Sequence, residues 1–222
     1  MIAPRPSGAT RVILVRHGEA AIEPGRICGR LDPPLSAAGR ARIRRVARWL
    51  REIEVAAVCA SPARRAMQTA RLLAAGRSLG IEQVPGLREV DFGAFEGLTW
   101  EEARARDPET CAAWLARPHE VTFPGGDGFP GISARALEAM AALRAKHPGE
   151  TVLVVAHAGV NRAILADALG MEAAESFRID QVPGAVNLLD WFESGAVVRL
   201  VNGGPGRAGP DPAPRPPVPG AR

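Results

Sequence analysis

The sequence predicts an α/β fold: a three-layer sandwich whose mostly parallel central sheet carries helices on both faces. Three observations predict it. Short apolar, β-branched runs alternate with longer segments of helical periodicity. Two of those runs, residues 12–15 and 151–155, lack polar alternation, as strands covered on both faces require. At 222 residues and 46% hydrophobic content, the chain can bury one sizeable core.

The elements follow in order. Residues 1–10 are polar and contain proline; they read as a flexible N-terminus without the apolar run of a signal peptide. Val12, Ile13, Leu14 and Val15 form the first buried strand. Ser36 has N-cap chemistry and opens a helix to about residue 52, with Ile43, Val46, Ala47 and Leu50 on one face and arginines on the other. Residues 55–58 make a second strand and residues 64–75 a helix. Thr99 and Glu102 form a capping box, and Asp107-Pro108 caps and opens a further helix. Residues 133–146 are amphipathic and stop at Pro148-Gly149. After the strand at 151–155, a helix over 160–169 is closed by Gly170. Residues 186–192 and 197–201 are strands joined at Glu193-Ser194-Gly195, an edge hairpin. One domain therefore spans 11–202, and residues 203–222, dominated by Pro, Gly, Ala and Arg, read as a disordered tail.

Composition excludes several classes of function. The net charge is +4, but Lys146 is the only lysine, so the basic balance reflects an arginine bias more than a nucleic-acid footprint. Aromatic residues are 5%, too few for a stacking platform. Cys28, Cys59 and Cys111 are widely spaced and make no CxxC pair, so neither a disulfide framework nor a thiolate metal site is indicated. No stretch approaches the length of a membrane span. The expectation is a cytoplasmic protein acting on a small anionic molecule, with no metal, no cofactor, no nucleic acid and no membrane; oligomeric state stays open.

Two of the four histidines share a setting. His17 follows the strand at 12–15 and precedes Gly18; His157 follows the strand at 151–155 and precedes Ala158-Gly159. Open α/β sheets carry their chemistry at the carboxyl ends of parallel strands, so both imidazoles are expected on one edge. Arg16 lies beside His17, and Arg65 follows the second strand at the start of a helix. Arginine forks match phosphate oxygens, a neutral imidazole is a good nucleophile, and a positive second imidazole can stabilise a transferring phosphoryl group. A proton donor for the leaving alkoxide can come from the polar loop around Glu89 and Asp91.

Leu14-Val15-Arg16-His17-Gly18-Glu19 resembles the signature of the histidine phosphatase superfamily, also called the phosphoglycerate mutase-like family. Four further blocks fall in the family's order: residues 32–39 (DPPLSAAG), 61–70 (SPARRAMQTA), 87–93 (LREVDFG) and 156–159 (AHAG). The resemblance implies His17 as the phosphorylated nucleophile, Arg16 and Arg65 as phosphate clamps, His157 as the charge-stabilising partner and Glu89 as the acid, then base. It also implies a metal-free phosphatase. Five positions in three stretches depart from the family pattern. Ala20 and Glu23 stand where Thr and Asn are frequent, Ala158-Gly159 replaces Gly-Gly, and Gly125-Gly126-Asp127-Gly128 replaces Gly-Gly-Glu-Ser.

Cys59 and Arg65 also satisfy C-x5-R, the spacing of a cysteine-dependent phosphatase loop. Pro62 removes a backbone donor that such a loop needs, and no glycine eases the others into place. For the substrate, the short linker after the Arg65 helix favours a phosphatase over a mutase. Residues 23–32 (EPGRICGRLD) are similar to the loop of α-ribazole phosphatases, which act in cobalamin assembly. The resemblance thus implies α-ribazole 5′-phosphate, with a broad-specificity sugar or phosphoglycerate phosphatase or mutase as the alternative. A catalytically inactive phospho-ligand binding module is the alternative of another class. A phosphatase of phosphohistidine proteins is a further one, which the helical segment at 99–116 disfavours by covering the site.

Overall fold

The computed structural model describes residues 2–206, so most of the tail expected at 203–222 lies outside the described residues. The strands are β1 (Thr10–Arg16), β2 (Ala57–Ala60), β3 (Ile81–Gln83), β4 (Thr151–Ala156), β5 (Val186–Phe192) and β6 (Gly195–Gly203). They form one sheet in the order β3-β2-β4-β1-β5-β6. The four strands from β3 to β1 pair in parallel, while β5 and β6 add an antiparallel hairpin beside β1.

Alternation along the strands divides the core between the two faces. Val12, Leu14, Cys59, Val152 and Val154 pack against α5 (Phe129–Lys146) and α6 (Ala158–Ala168) through Met140, Leu143, Val160 and Ile164. Ile13, Val15, Val58, Leu153 and Val155 face the other way, onto α1 (Ala37–Leu50) and α2 (Arg64–Ala74) through Ile43, Val46, Leu50, Ala70 and Leu73. β4 is buried along its whole length, as the missing polar alternation predicts. A third cluster joins α3 (Trp100–Arg106) and α4 (Pro108–Ala116) to the acidic loop: Val90, Phe95, Ala103, Cys111, Phe123, Phe129 and Phe177.

Local signals account for most boundaries. Ser36 caps α1 by accepting from the Gly39 N–H, and Thr99 and Glu102 make the reciprocal capping box of α3. Several details differ from expectation, α6 and β6 each beginning two residues early among them. β2 lies two residues later than expected, because its ladder with β4 runs from Ala57↔Val152 to Ala60↔Val155. α5 begins at Phe129 rather than Ser133, since Pro130 falls in the first turn, where its missing N–H has no helical partner to lose. β3 was not expected; it is three residues long, at the sheet edge, with Ile81 its one apolar residue. At the other end of the chain, Ile2 packs against the α1–α2 side of the core, and Arg11 donates to the carbonyls of Ala3 and Pro4.

Candidate active site

β1 and β4 are direct neighbours, and Arg16 pairs with Ala156, so His17 and His157 are the next residues on adjacent parallel strands. The His17 N–H closes onto the Ala156 carbonyl at 3.0 Å. The two imidazole centroids are 5.0 Å apart at an interplanar angle of 66°.

The hydrogen bonds assign the tautomers. His17 Nδ1 lies 2.7 Å from the Gly18 carbonyl, which can only accept, so the proton sits on Nδ1 and the Nε2 lone pair is exposed to the site. Arg65 Nε donates to that Nε2 at 3.2 Å. Arg65 Nη2 lies 3.3 Å from His157 Nδ1, which must therefore accept; the His157 proton is then on Nε2, 2.8 Å from Ser61 Oγ. Arg65 is buried between the two rings, with Nη1 on the Leu31 carbonyl and Nη2 on the Gly29 carbonyl, both at 2.7 Å. Arg16 reaches the carbonyl of buried Gln181.

Both histidines are held well below their ordinary pKa. For His17 the cause is burial first, then the charges of Arg65 and Arg16, against a smaller opposing contribution from the Gly18 carbonyl. For His157 it is burial, then His17, Arg65, Arg16 and Arg135. Two arginines next to desolvated rings leave no room for a further positive charge. Burial and the neighbouring guanidinium charges thus disfavour the cationic form of His157 in the resting site.

Glu89 arrives from the loop after β3. Its Oε2 accepts from the Gly159 N–H and its Oε1 from the Val90 N–H, each at 3.1 Å, so it touches the turn that carries His157. Gly159 must be small here: a Cβ would lie 2.5 Å from Glu89 Oε1. Two residues given no role from the sequence hold this loop. Arg135 of α5 donates to the carbonyls of Gly86, Arg88 and Glu89, and Asp127 Oδ1 accepts from the Asp91 N–H at 2.6 Å. Ser61 and Thr69 were also missed, although both lie in the block at 61–70. Thr69 Oγ1 donates to the Arg65 carbonyl at 2.8 Å and accepts from the Gly18 N–H at 3.1 Å, tying α2 to the His17 turn. Among the described residues, no group of three or more His, Cys, Asp or Glu is placed to hold a metal ion, and no helix is long and apolar enough to cross a membrane.

A family model described as the histidine phosphatase superfamily (branch 1) matches residues 12–203, from the first strand to the last. The chain belongs to that superfamily. A bifunctional protein of Mycobacterium tuberculosis is 35% identical over 196 residues, covering 87% of this chain and 54% of the relative. The chain thus spans about half the length of that relative. Phosphoserine phosphatase 1 of Hydrogenobacter thermophilus is 31% identical over 179 residues, covering 79% of this chain and 85% of the relative. Among solved structures, a putative α-ribazole-5′-phosphate phosphatase from Escherichia coli K-12 superposes with a TM-score of 0.81 at 28% identity, covering 88% of this chain and 97% of that one.

The departures from the histidine phosphatase pattern have distinct structural outcomes. Glu23, at the frequent Asn position, is exposed and pairs with Arg26 at 2.7 Å. Ala20 bridges to Leu35. Asp127, in the segment without the frequent serine, accepts from the Asp91 N–H and from Arg135, and so braces the acidic loop. The competing cysteine is buried in the core on β2, and burial pushes its thiol up to about 11, the wrong direction for a thiolate nucleophile.

Proposed function

We propose that this histidine phosphatase is a metal-independent phosphomonoesterase working through a phosphohistidine on His17 Nε2. One observation carries the reading. The tautomer lock by the Gly18 carbonyl leaves a neutral, unprotonated Nε2 at a site where Arg16 and Arg65 supply the charge for a phosphate dianion. Phosphate enters against the arginines, displacing the Arg65 Nε–H from Nε2. The Nε2 lone pair attacks phosphorus as the ester P–O bond breaks, and the departing alkoxide takes the Glu89 proton. Each Glu89 oxygen accepts one backbone N–H and retains a second lone-pair site where that proton can reside. In the second step Glu89, now a carboxylate, removes a proton from water as its oxygen attacks phosphorus and the P–N bond breaks. Inorganic phosphate leaves and the site returns to its starting state. A bound dianion offsets the charges of Arg65 and Arg16 beside His157, and as Arg65 Nη2 turns from Nδ1 to the phosphate that nitrogen is free to take up a proton and make His157 the cationic partner.

Brief reaction with a labelled ester, quenched in alkali, is expected to trap an acid-labile phosphoprotein in the wild type and none in His17→Ala. Cys59→Ser and EDTA are expected to leave turnover intact. Loss of turnover in Cys59→Ser with retention in His17→Ala would overturn the mechanism.

For the substrate, we propose α-ribazole 5′-phosphate, supported by the loop at 23–32 and by the similarity to the E. coli structure. Similarity to a phosphoserine phosphatase favours a second reading, phosphoserine. A panel of both esters with 3-phosphoglycerate and sugar phosphates separates them. The first reading requires a kcat/KM preference of more than about tenfold for the ribazole ester.

A further inference from the structure

Glu96 has been given no role above, and its carboxylate is a hub. It accepts from the N–H of Arg30 at 2.7 Å, of Phe92 at 3.1 Å and of Leu31 at 3.2 Å, and from the Gly29 N–H with both oxygens at 3.1 Å. These donors come from two loops and fill a carboxylate's lone-pair sites. The same stretch of backbone turns its carbonyls the other way. Gly29 and Leu31 accept from Arg65 Nη2 and Nη1, each at 2.7 Å. The Gly29 carbonyl and the Arg30 N–H are two ends of one peptide group. That peptide dipole lies between the Glu96 carboxylate and the Arg65 guanidinium, each end facing the opposite charge.

The arrangement is not needed for the turn that carries Glu96. A short 3-10 turn at Gly93–Phe95 closes through its own backbone, with Phe95 N–H to the Phe92 carbonyl at 2.9 Å and Glu96 N–H to the Gly93 carbonyl at 3.1 Å. Phe95 anchors it in the aromatic cluster. The loops that Glu96 joins are in close contact: a Cβ on Gly29 would lie 1.8 Å from the Val90 carbonyl oxygen, one residue from Glu89.

We infer that Glu96 is a positioning residue for the phosphate site, fixing Arg65 through residues 29–31 and setting its place relative to the Glu89 loop. The inference rests on the reading of Arg65 as a phosphate clamp. Without the Glu96 charge, residues 29–31 lose their common acceptor, the two carbonyls drift, and the guanidinium loses the supports that aim it at His17 Nε2 and His157 Nδ1.

The experiment compares wild type, Glu96→Gln, Glu96→Asp, Arg65→Lys and the double variant Glu96→Gln/Arg65→Lys. It reads the inorganic-phosphate inhibition constant, kcat and KM on p-nitrophenyl phosphate, the thermal midpoint, and the Arg65 Nε–H resonance by NMR. Glu96→Gln is expected to weaken phosphate inhibition by about tenfold or more and to shift the Arg65 resonance. In the Arg65→Lys background the same substitution is expected to add less than about twofold, because its effect runs through Arg65. Glu96→Asp, which keeps the charge on a shorter arm, is expected to fall between and serves if the Gln variant does not fold. An unmoved Arg65 resonance with phosphate inhibition unchanged overturns the inference. So do losses that multiply fully in the double variant, since generic loosening predicts that result. If the resonance moves but Arg65→Lys alone leaves phosphate inhibition intact, the positioning of Arg65 stands and its clamp role falls.

Discussion

An alanine at Gly159 would place its methyl 2.5 Å from Glu89 Oε1 and 2.8 Å from Ile132 Cδ1. The Gly159 backbone lies outside the left-handed region, so the substitution strains the carboxylate contact and not the chain. Displacing Glu89 withdraws the leaving-group proton. An alkoxide needs that proton badly, whereas p-nitrophenolate is stable without it. Gly159→Ala is therefore expected to lower kcat/KM for an alkyl phosphate by more than about tenfold, and for p-nitrophenyl phosphate by less than about threefold. Equal losses on the two substrates would remove Glu89 from leaving-group protonation. Residues of this kind divide by how legible they are. His17, Arg16 and His157 announce themselves because each lies at the end of an apolar strand, a signal confined to one stretch of sequence. Asp127, Arg135 and Glu96 act on backbone N–H and carbonyl groups of distant loops, and every residue type offers those groups alike. Their partners leave no mark in the sequence.

Among the elements, α5 does more than cover the sheet. Arg135 projects from it to the carbonyls of Gly86, Arg88 and Glu89, and so fixes the segment that delivers the acid. Its burial lowers its pKa from the ordinary arginine range, with Asp127 the main opposing charge. Arg135→Met removes three donors while keeping much of the stem's packing. The expected cost is on the order of 2 kcal/mol, which for a chain of this size lowers the thermal midpoint by about 4–8 °C. Differential scanning calorimetry checks this, and a midpoint within about 1 °C of wild type would show that the carbonyls find other partners. Helix termini were legible where a cap side chain marks them, at Ser36, Thr99 and Asp107. β3 was not, because a three-residue edge strand has too few positions to display a period. The order of the strands was not legible either. It depends on which faces meet across long separations; the sequence placed His17 and His157 on one edge of the sheet, and the direct pairing of β1 with β4 was learned from the structure.

On the scale of the molecule, β1 connects two charged regions. At its carboxyl end lie His17 and the arginines. At its amino end Arg11 forms a buried ion pair with Asp190 at 2.7 Å, which Arg199 completes at 3.0 Å. A strand of this length sets the two regions about 20 Å apart. They respond to acid in different windows. His17 and His157 are held below the ordinary histidine value, so below about pH 6.5 the unfolded chain binds protons that the folded chain refuses. Stability falls as pH falls through that window, and above it the two states bind none and the slope vanishes. Burial alone would raise Asp190, but its hydrogen bonds from Arg11 and Arg199 outweigh burial and hold it below the usual carboxylate value. Its contribution is complete above about pH 3.9 and is lost as pH falls through the lowered value. Thermal midpoints measured from pH 8 to 3 are therefore expected to fall in two stages, an upper one that sets in below about pH 6.5 and a steeper lower one that adds to it below about pH 3.9. The double variant His17→Asn/His157→Asn should flatten the upper stage and keep the lower. Asp190→Asn should start from a lower midpoint, since it leaves Arg11 buried without its counterion, and keep the upper stage. Saturating phosphate should also flatten the upper stage in the wild type, because the dianion lets His157 accept its proton in the folded state. An upper stage as steep in the double variant as in the wild type would place the acid sensitivity elsewhere than in the histidine pair.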